Sequence, residues 1–439
     1  MLSLKTTAIT ITLAMSTATT QAQSSPYCRA DIVYDNSLDF FDISEFLILF
    51  SGGSLVADFD GSGTLDFFDI SSFLNEFNGG CPDLTDSDND RLPDYVETNN
   101  GIYISLFQTG SDPLNPDTDA DFLPDGDEVL GTTDGLILPN ASPVLKDIYI
   151  ECDWFQGVFQ GRTENYRPTA AVESRLTTAF RQSGTPNPYG LPSGIVIHLD
   201  YGQNAHNSGG NQLPGQPTFI TFDSQFNQYK ADHFDPRRKG YYHYVIFANR
   251  YNSSSNGSSG YAEINGDDFM VTMVNYNSTN NMANTIAHEL GHNLGLRHGG
   301  FENRNRKPNY NSVMNYEHQF TGVDTNSDTF GDGLLDYSHG MNISLNESAL
   351  LEAQGVNGTT PIDWSRNGSI EPNPIALNLN CSTWPESCGS SGGGNCYDSN
   401  CSTLQDYDDW NNINWNRLNQ SNDRRPAPDI IQCDNWPGK

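Results

Sequence analysis

Carboxylates set at fixed intervals limit what this chain can fold into. Asp86-x-Asp88-x-Asp90-x-x-x-Asp94-x-x-Glu97 is repeated 31 residues later as Asp117-x-Asp119-x-Asp121-x-x-x-Asp125-x-x-Glu128. Like charges packed this densely repel strongly at short range, so a compact loop needs a cation among them. Oxygen ligands at alternate positions suit Ca²⁺, with a disordered acidic linker as the alternative. The whole chain of 439 residues carries 55 acidic and 22 basic side chains, a formal charge of −33. Such a balance argues against nucleic acid as a partner.

A second repeat, of period 27, lies upstream. Asp31, Asp39, Asp42, Ile43, Phe46, Leu47 and Phe50 recur as Asp58, Asp66, Asp69, Ile70, Phe73, Leu74 and Phe77. The later copy places Asp58, Asp60, Ser62, Thr64, Asp66 and Asp69 at the ligand positions of an EF-hand-type calcium loop, with Gly63 at its turn. Each loop runs into a helix with apolar spacing. In the earlier copy Val33 and Asn36 replace a ligand and the glycine, which weakens that site. The pair resembles a dockerin, which implies a cohesin-like or cell-surface partner. The plainer alternative is a small helical pair held by a Cys28–Cys81 disulfide. The downstream Asp loops resemble thrombospondin type 3 calcium repeats, as does Ser111-Asp-Pro-Leu-Asn-Pro116. That resemblance implies a calcium-stiffened stalk.

Residues 288–298 read His-Glu-Leu-Gly-His-Asn-Leu-Gly-Leu-Arg-His. On a helix His288 and His292 share one face, a turn apart. Gly295 lets the chain leave the helix and return, so that His298 supplies a third ligand. Three protein ligands with one open position are the layout of a catalytic zinc. Glu289 is placed to act as general base on a metal-bound water. Ser312-Val-Met-Asn-Tyr316 follows. Together the two segments resemble a metzincin zinc endopeptidase, whose zinc motif precedes a Met-containing turn. The resemblance implies that Met314 floors the metal site and that Tyr316 stabilises an oxyanion. His298 is followed by Gly299-Gly300, where several subfamilies carry Asp, Glu or Ser, which leaves the subfamily open.

The expected organisation is a signal peptide over 1–22, a dockerin-like pair over 28–82, calcium loops over 83–140 and a protease domain over 144–439 with a Cys-rich end. The leader, with small residues up to Ala22, and the eight cysteines imply a secreted, oxidised protein without a membrane span. Cys381, Cys388, Cys396 and Cys401 suggest local bridges, which leaves Cys152 and Cys433 as a further pair. Strands are expected over 147–155, 194–201 and 241–249, a helix over 171–181 and the zinc helix over about 281–294. The fold class is α/β (α+β): a two-lobed metzincin-like domain with a mixed sheet, preceded by EF-hand-like and calcium-loop repeats. The metzincin resemblance implies an edge strand that pairs with an extended peptide, for which Asp268–Val274 is the candidate. Asp324, Asn326, Asp328, Asp332 and Asp336 carry ligand types for one more calcium at irregular spacing. Residues 345–439 are expected to wrap the lower lobe. His198, His206, His233, His243, His318 and His339 lack ligand spacing and read as structural or surface residues. The implied activity is hydrolysis of protein or peptide substrates with catalytic Zn²⁺ and structural Ca²⁺. The alternatives are a calcium-dependent adhesion or scaffold protein with an inert protease-like domain, and a cell-wall amidase.

Overall fold

The computed structural model describes residues 27–415 apart from 34–36, 61, 160, 206, 256, 275–276, 382–385, 390–395 and 398–399, with backbone alone at 223 and 429–433. The expected leader over 1–22, Asn36 and His206 lie outside the described residues. Two compact units meet at residue 85.

In the first unit, helix α1 (Phe40–Ser51) and helix α2 (Phe67–Gly79) are the two copies of the 27-residue repeat. Each opens with a capping box built from aspartates alone. Asp39 accepts from the Phe41 N–H at 2.7 Å, and Asp66 accepts from the Phe68 N–H at 2.7 Å. Asp42 accepts from the N–H groups of Asp39 and Val33, and Asp69 from those of Asp66 and Asp60, tying each loop to its helix. The core lies where the copies meet. Phe46 and Phe73, equivalent by the repeat, stack face to face with ring centroids 4.0 Å apart. Phe59 meets both edge-on. A Cys28–Cys81 disulfide closes the unit.

The second unit is built on a six-stranded mixed sheet. Helix α3 (Asp125–Leu130) ends the Asp-rich segment. Strand β1 (Asp147–Trp154) follows, then a hairpin of β2 (Gln156–Phe159) and β3 (Arg162–Asn165). Helix α4 (Ala170–Arg181) leads to β4 (Val196–Asp200), and helix α5 (Asn227–His233) to β5 (Tyr242–Ala248). An antiparallel hairpin, β6 (Gly260–Ile264) and β7 (Asp268–Thr272), precedes helix α6 (Thr279–Asn293). Strands β8 (Leu345–Asn346) and β9 (Thr403–Leu404) form a small separate pair, and β10 (Asp429–Cys433) completes the large sheet. Its order is β10-β6-β7-β5-β1-β4. Strands β4, β1, β5 and β7 run parallel, whereas β6 is antiparallel to both neighbours. The central strands β1, β5 and β7 are buried along their whole length, as parallel strands covered on both faces must be. Strand β6 alternates between buried and half-buried positions.

Several expectations change. Asp268–Thr272 is an interior strand flanked by β5 and β6, because the segment expected to hold one strand folds back as a hairpin, and β6 is itself covered by β10, which takes the outer position. The Asp-rich segment is no stalk. Leu123, Leu136, Leu138 and Ala141 join the hydrophobic core of the sheet. Cys152 is a buried free thiol on β1. Three strands separate β1 from β10, which carries Cys433, too far for a disulfide. The local bridges are Cys381–Cys396 and Cys388–Cys401. They flank a second small core around Leu345, Trp364 and Leu404, while Trp410 packs on Phe180 and Tyr337 in the main one. Among the described residues no helix is long and apolar enough to cross a membrane.

The stacked phenylalanines carry a direct expectation. Phe46→Ala and Phe73→Ala should each destabilise the first unit by about 3–5 kcal/mol, and by similar amounts, because the two sites are equivalent. Denaturant unfolding of the two variants checks both the size and the equality.

Candidate metal centre

Helix α6 begins at Ser278, whose hydroxyl accepts from the Asn281 N–H, and is buried from Met282 to Asn293. It ends as its sequence requires. Gly295 adopts φ +94°, the Leu296 N–H donates to Gly291 O, and the Gly295 N–H donates to His292 O. This is the paired bonding of a Schellman cap, which a Cβ at position 295 would strain. The chain then turns back and brings His298 to the other two histidines. Ring centroids lie 4.9 Å apart for His288–His292, 5.3 Å for His288–His298 and 4.9 Å for His292–His298. One ligand nitrogen from each falls within 4.8 Å of the others, and all three residues are buried.

Backbone carbonyls set two of the rings. His288 Nδ1 meets Val313 O at 2.8 Å, and His292 Nδ1 meets Leu296 O at 2.8 Å. A carbonyl only accepts, so each Nδ1 carries the hydrogen and leaves the Nε2 lone pair as the ligand atom. Burial holds all three imidazoles neutral, lowering His288 to about 4 and the other two well below the ordinary histidine value. Neutral, converging and pre-oriented nitrogens fit a zinc ion.

The Ser312–Tyr316 turn lies beneath. Asn315 organises it with four bonds: its Nδ2 donates to Lys307 O and Tyr310 O, and its Oδ1 accepts from the Arg306 and Glu317 N–H groups. Met314 is fully buried and its sulfur presses on the zinc helix; a Cβ at Gly291 would meet Met314 Sδ at 2.3 Å. Tyr316 is half-buried, its ring 4.4 Å from that of His298 and 5.8 Å from that of His288. Glu289 is fully buried against β6, where a Cβ at Gly260 would meet its Oε1 at 2.1 Å. Asn293 ties the helix end to the sheet, donating to Glu263 O and Asp268 O and facing His243 Nδ1 at 3.1 Å.

With this geometry in view, the chain can be compared with known proteins. Residues 212–299 match the family described as Metallo-peptidase family M12B Reprolysin-like. The match runs from the segment before α5 through the zinc helix to Gly299, one residue past His298. No curated protein matches the chain. The family match and the histidine cluster together support a zinc metalloprotease at family level, and the mixed sheet with its flanking helices is consistent with such a domain.

The carboxylates regroup relative to their order in sequence. Asp86, Asp88 and Asp90 converge, but Asp90 and Glu97 also converge with Asp125 of the next loop. Buried oxygens of Asp88, Asp90, Glu97, Asp119 and Glu128 meet no hydrogen-bond donor. Burial pushes Asp90 up to about 7 and Glu97 and Asp125 to about 8, with neighbouring carboxylates adding to the shift on Asp90 and Glu97. Glu128 is raised strongly by burial and then by Asp121. Buried carboxylates left this way are costly unless a cation compensates them. The two loops share one backbone: Asn89 and Arg91 have positive φ, as do Ala120 and Phe122 at the equivalent positions. Asp86 and Asp117 each accept two N–H bonds within their own loop, and Asp94 accepts from Ser87 as Asp125 does from Thr118. Asp121 also accepts from the Asp147 N–H at 2.6 Å, joining the second loop to the first residue of β1.

In the first unit Asp58, Asp60 and Asp69 converge, whereas Asp66 caps α2 and the Ser62 hydroxyl donates to Thr64 O. The segment Asp324–Asp332 repeats the loop construction, with positive φ at Ser327 and Thr329 and an Asp332–Thr325 pair. Asp336 stands outside it and accepts from Trp410 Nε1. Among the other histidines, His198 pairs with Asp147 at 2.5 Å, His318 Nδ1 meets Gly322 O, and His339 faces Asp336. Gly260, Gly291, Asn293 and Asp147 carry no signal in sequence, because their partners are distant along the chain.

Gly260→Ala should displace the Glu289 carboxylate while leaving the histidines in place. Elemental analysis should find parental zinc content alongside peptidase activity lowered at least about tenfold, a loss of roughly 1.4 kcal/mol in the transition state.

Proposed function

We propose that this chain is a secreted zinc endopeptidase. The single observation that carries the reading is the convergence of His288, His292 and His298 beside a buried Glu289. A zinc ion bound there supplies a Lewis acid and a water whose pKa falls toward 7. Glu289 accepts the proton of that water and passes it to the leaving amine. The Tyr316 phenol donates to the carbonyl oxygen as negative charge develops on it. Met314 and Gly291 close the floor, and the carbonyls of Val313 and Leu296 keep the rings aimed.

The carboxylate clusters at Asp86, Asp88, Asp90, Asp94 and Glu97 and at Asp117, Asp119, Asp121, Asp125 and Glu128 serve as structural calcium sites, and Asp58, Asp60, Ser62, Thr64, Asp66 and Asp69 form another in the first unit. Unmatched buried oxygens support this reading in the second unit. A thrombospondin type 3-like segment then braces the catalytic sheet through Asp121 and Asp147. The first unit acts as a dockerin-like module; its exposed pairs Phe40–Phe41 and Phe67–Phe68 support contact with a partner there. The three disulfides among the described residues fit export to an oxidising compartment.

Glu289→Gln should keep zinc bound and lower kcat/KM on a casein-derived peptide by about 10²- to 10⁴-fold. A variant that cleaves as fast as the parent would refute the assignment. Removing calcium with a chelator that spares zinc should lower the melting temperature of the second unit. Restoring calcium to a hundredfold excess over its Kd should return about 2.7 kcal/mol per site.

A further inference from the structure

Strand β10 pairs antiparallel with β6, setting Asp429 opposite Ile264 and Cys433 opposite Gly260. The opposite edge of β6 is taken by β7, so without β10 this strand would be the open border of the sheet. Strand β6 also runs beside the metal-binding helix. At one end Gly260 lies against the Glu289 carboxylate, and just past the other the Asn265 N–H donates to His292 O at 3.0 Å. The border covered by β10 therefore spans the same stretch as the metal centre, from Glu289 to His292.

An open strand edge presents unpaired N–H and C=O groups, and an extended peptide recognises such an edge by adding one more strand. The site needs an extended chain delivered beside Glu289, and β6 is the edge that passes Glu289. That place is held by a segment of this chain itself. The sequence suits the role: Asp429-Ile-Ile-Gln-Cys433 carries β-branched residues, Pro426 and Pro428 precede it, and the stretch from Asn416 to Arg425 is polar. An occupant tethered in this way competes at the high effective concentration of an intramolecular ligand.

We propose that Asp429–Cys433 is a built-in competitor that occupies the peptide-docking edge of β6 and must leave before an extended substrate can bind; this rests on the peptidase reading of the site. The segment acts by covering backbone groups, so its effect falls on substrate binding and leaves the chemical step untouched.

The test uses the full chain with Ile430→Pro and Ile431→Pro together. Successive N–H groups in a strand point to opposite edges, so one of the two prolines removes a bond to β6 whichever the parity. The expected result is a KM for an extended peptide about tenfold lower with kcat unchanged. A synthetic peptide spanning 427–435 should inhibit this variant competitively, and more strongly than it inhibits the parent. An unchanged or raised KM, or no competition by the peptide, overturns the proposal. A chain ending at Trp415 repeats the comparison should the double variant fail to fold. Binding of a fluorescent peptide in the Glu289→Gln background reads docking without turnover. Tighter binding on loss of β10 supports the inference even if no preparation cleaves peptide, a result that would sink the peptidase reading alone. Equal binding sinks the inference alone.

Discussion

Two hydrogen bonds from histidine rings to backbone carbonyls decide the shape of the metal centre. One runs from His288 to Val313 and links the zinc helix to the turn that carries Met314. The other runs from His292 to Leu296, within the bend that brings His298 back. Each fixes a tautomer and a ring plane together. The carbonyls can serve only because the backbone around them is rigid. Asn315 braces the first through its four bonds, and the Schellman cap at Gly295 braces the second. The glycines complete the arrangement by absence: Gly291 admits a thioether and Gly260 admits a carboxylate.

The sheet supplies the frame that these bonds need. Asn293, next to the second ligand, fastens the helix end to the β6–β7 hairpin and to β5. Toward the start of the same helix, Arg175 of α4 donates to Asn284 of α6, whose amide in turn reaches Gln319 O. Helix, sheet and Met turn are thus joined by polar contacts that are themselves buried, where a hydrogen bond left unmade costs most.

Much of this was readable in the residues. The three histidines that converge, Glu289 beside them and the helix that carries them follow from spacing, since period and cap chemistry are local. The helical repeat of the first unit was equally plain, down to the residues that meet in its core. The edge of the sheet was not, because it depends on how the β6–β7 hairpin folds back and on a strand from residues 429–433 that pairs with it from far along the chain. The regrouping of Asp90 and Glu97 with Asp125 was hidden for a related reason: spacing within one loop says nothing about its neighbour. Asp324–Asp332 shows the reverse. Its match to the other loops runs over the nine residues from Asp324 to Asp332, and Asp336 belongs instead to the packing around Trp410.

None of the disulfides among the described residues joins a strand of the main sheet. One closes the helical repeat and two staple the stretch between Cys381 and Cys401, while the lone thiol of Cys152 sits inside the sheet with no partner in reach. The link from the last bridge to the metal centre is noncovalent: just past Cys401, Ser402, Gln405 and Asp409 accept from Arg304, Lys307 and Tyr310 in the stretch between His298 and Met314. A reductant would break no bond within the sheet, and it would reach the metal centre only by loosening that packing.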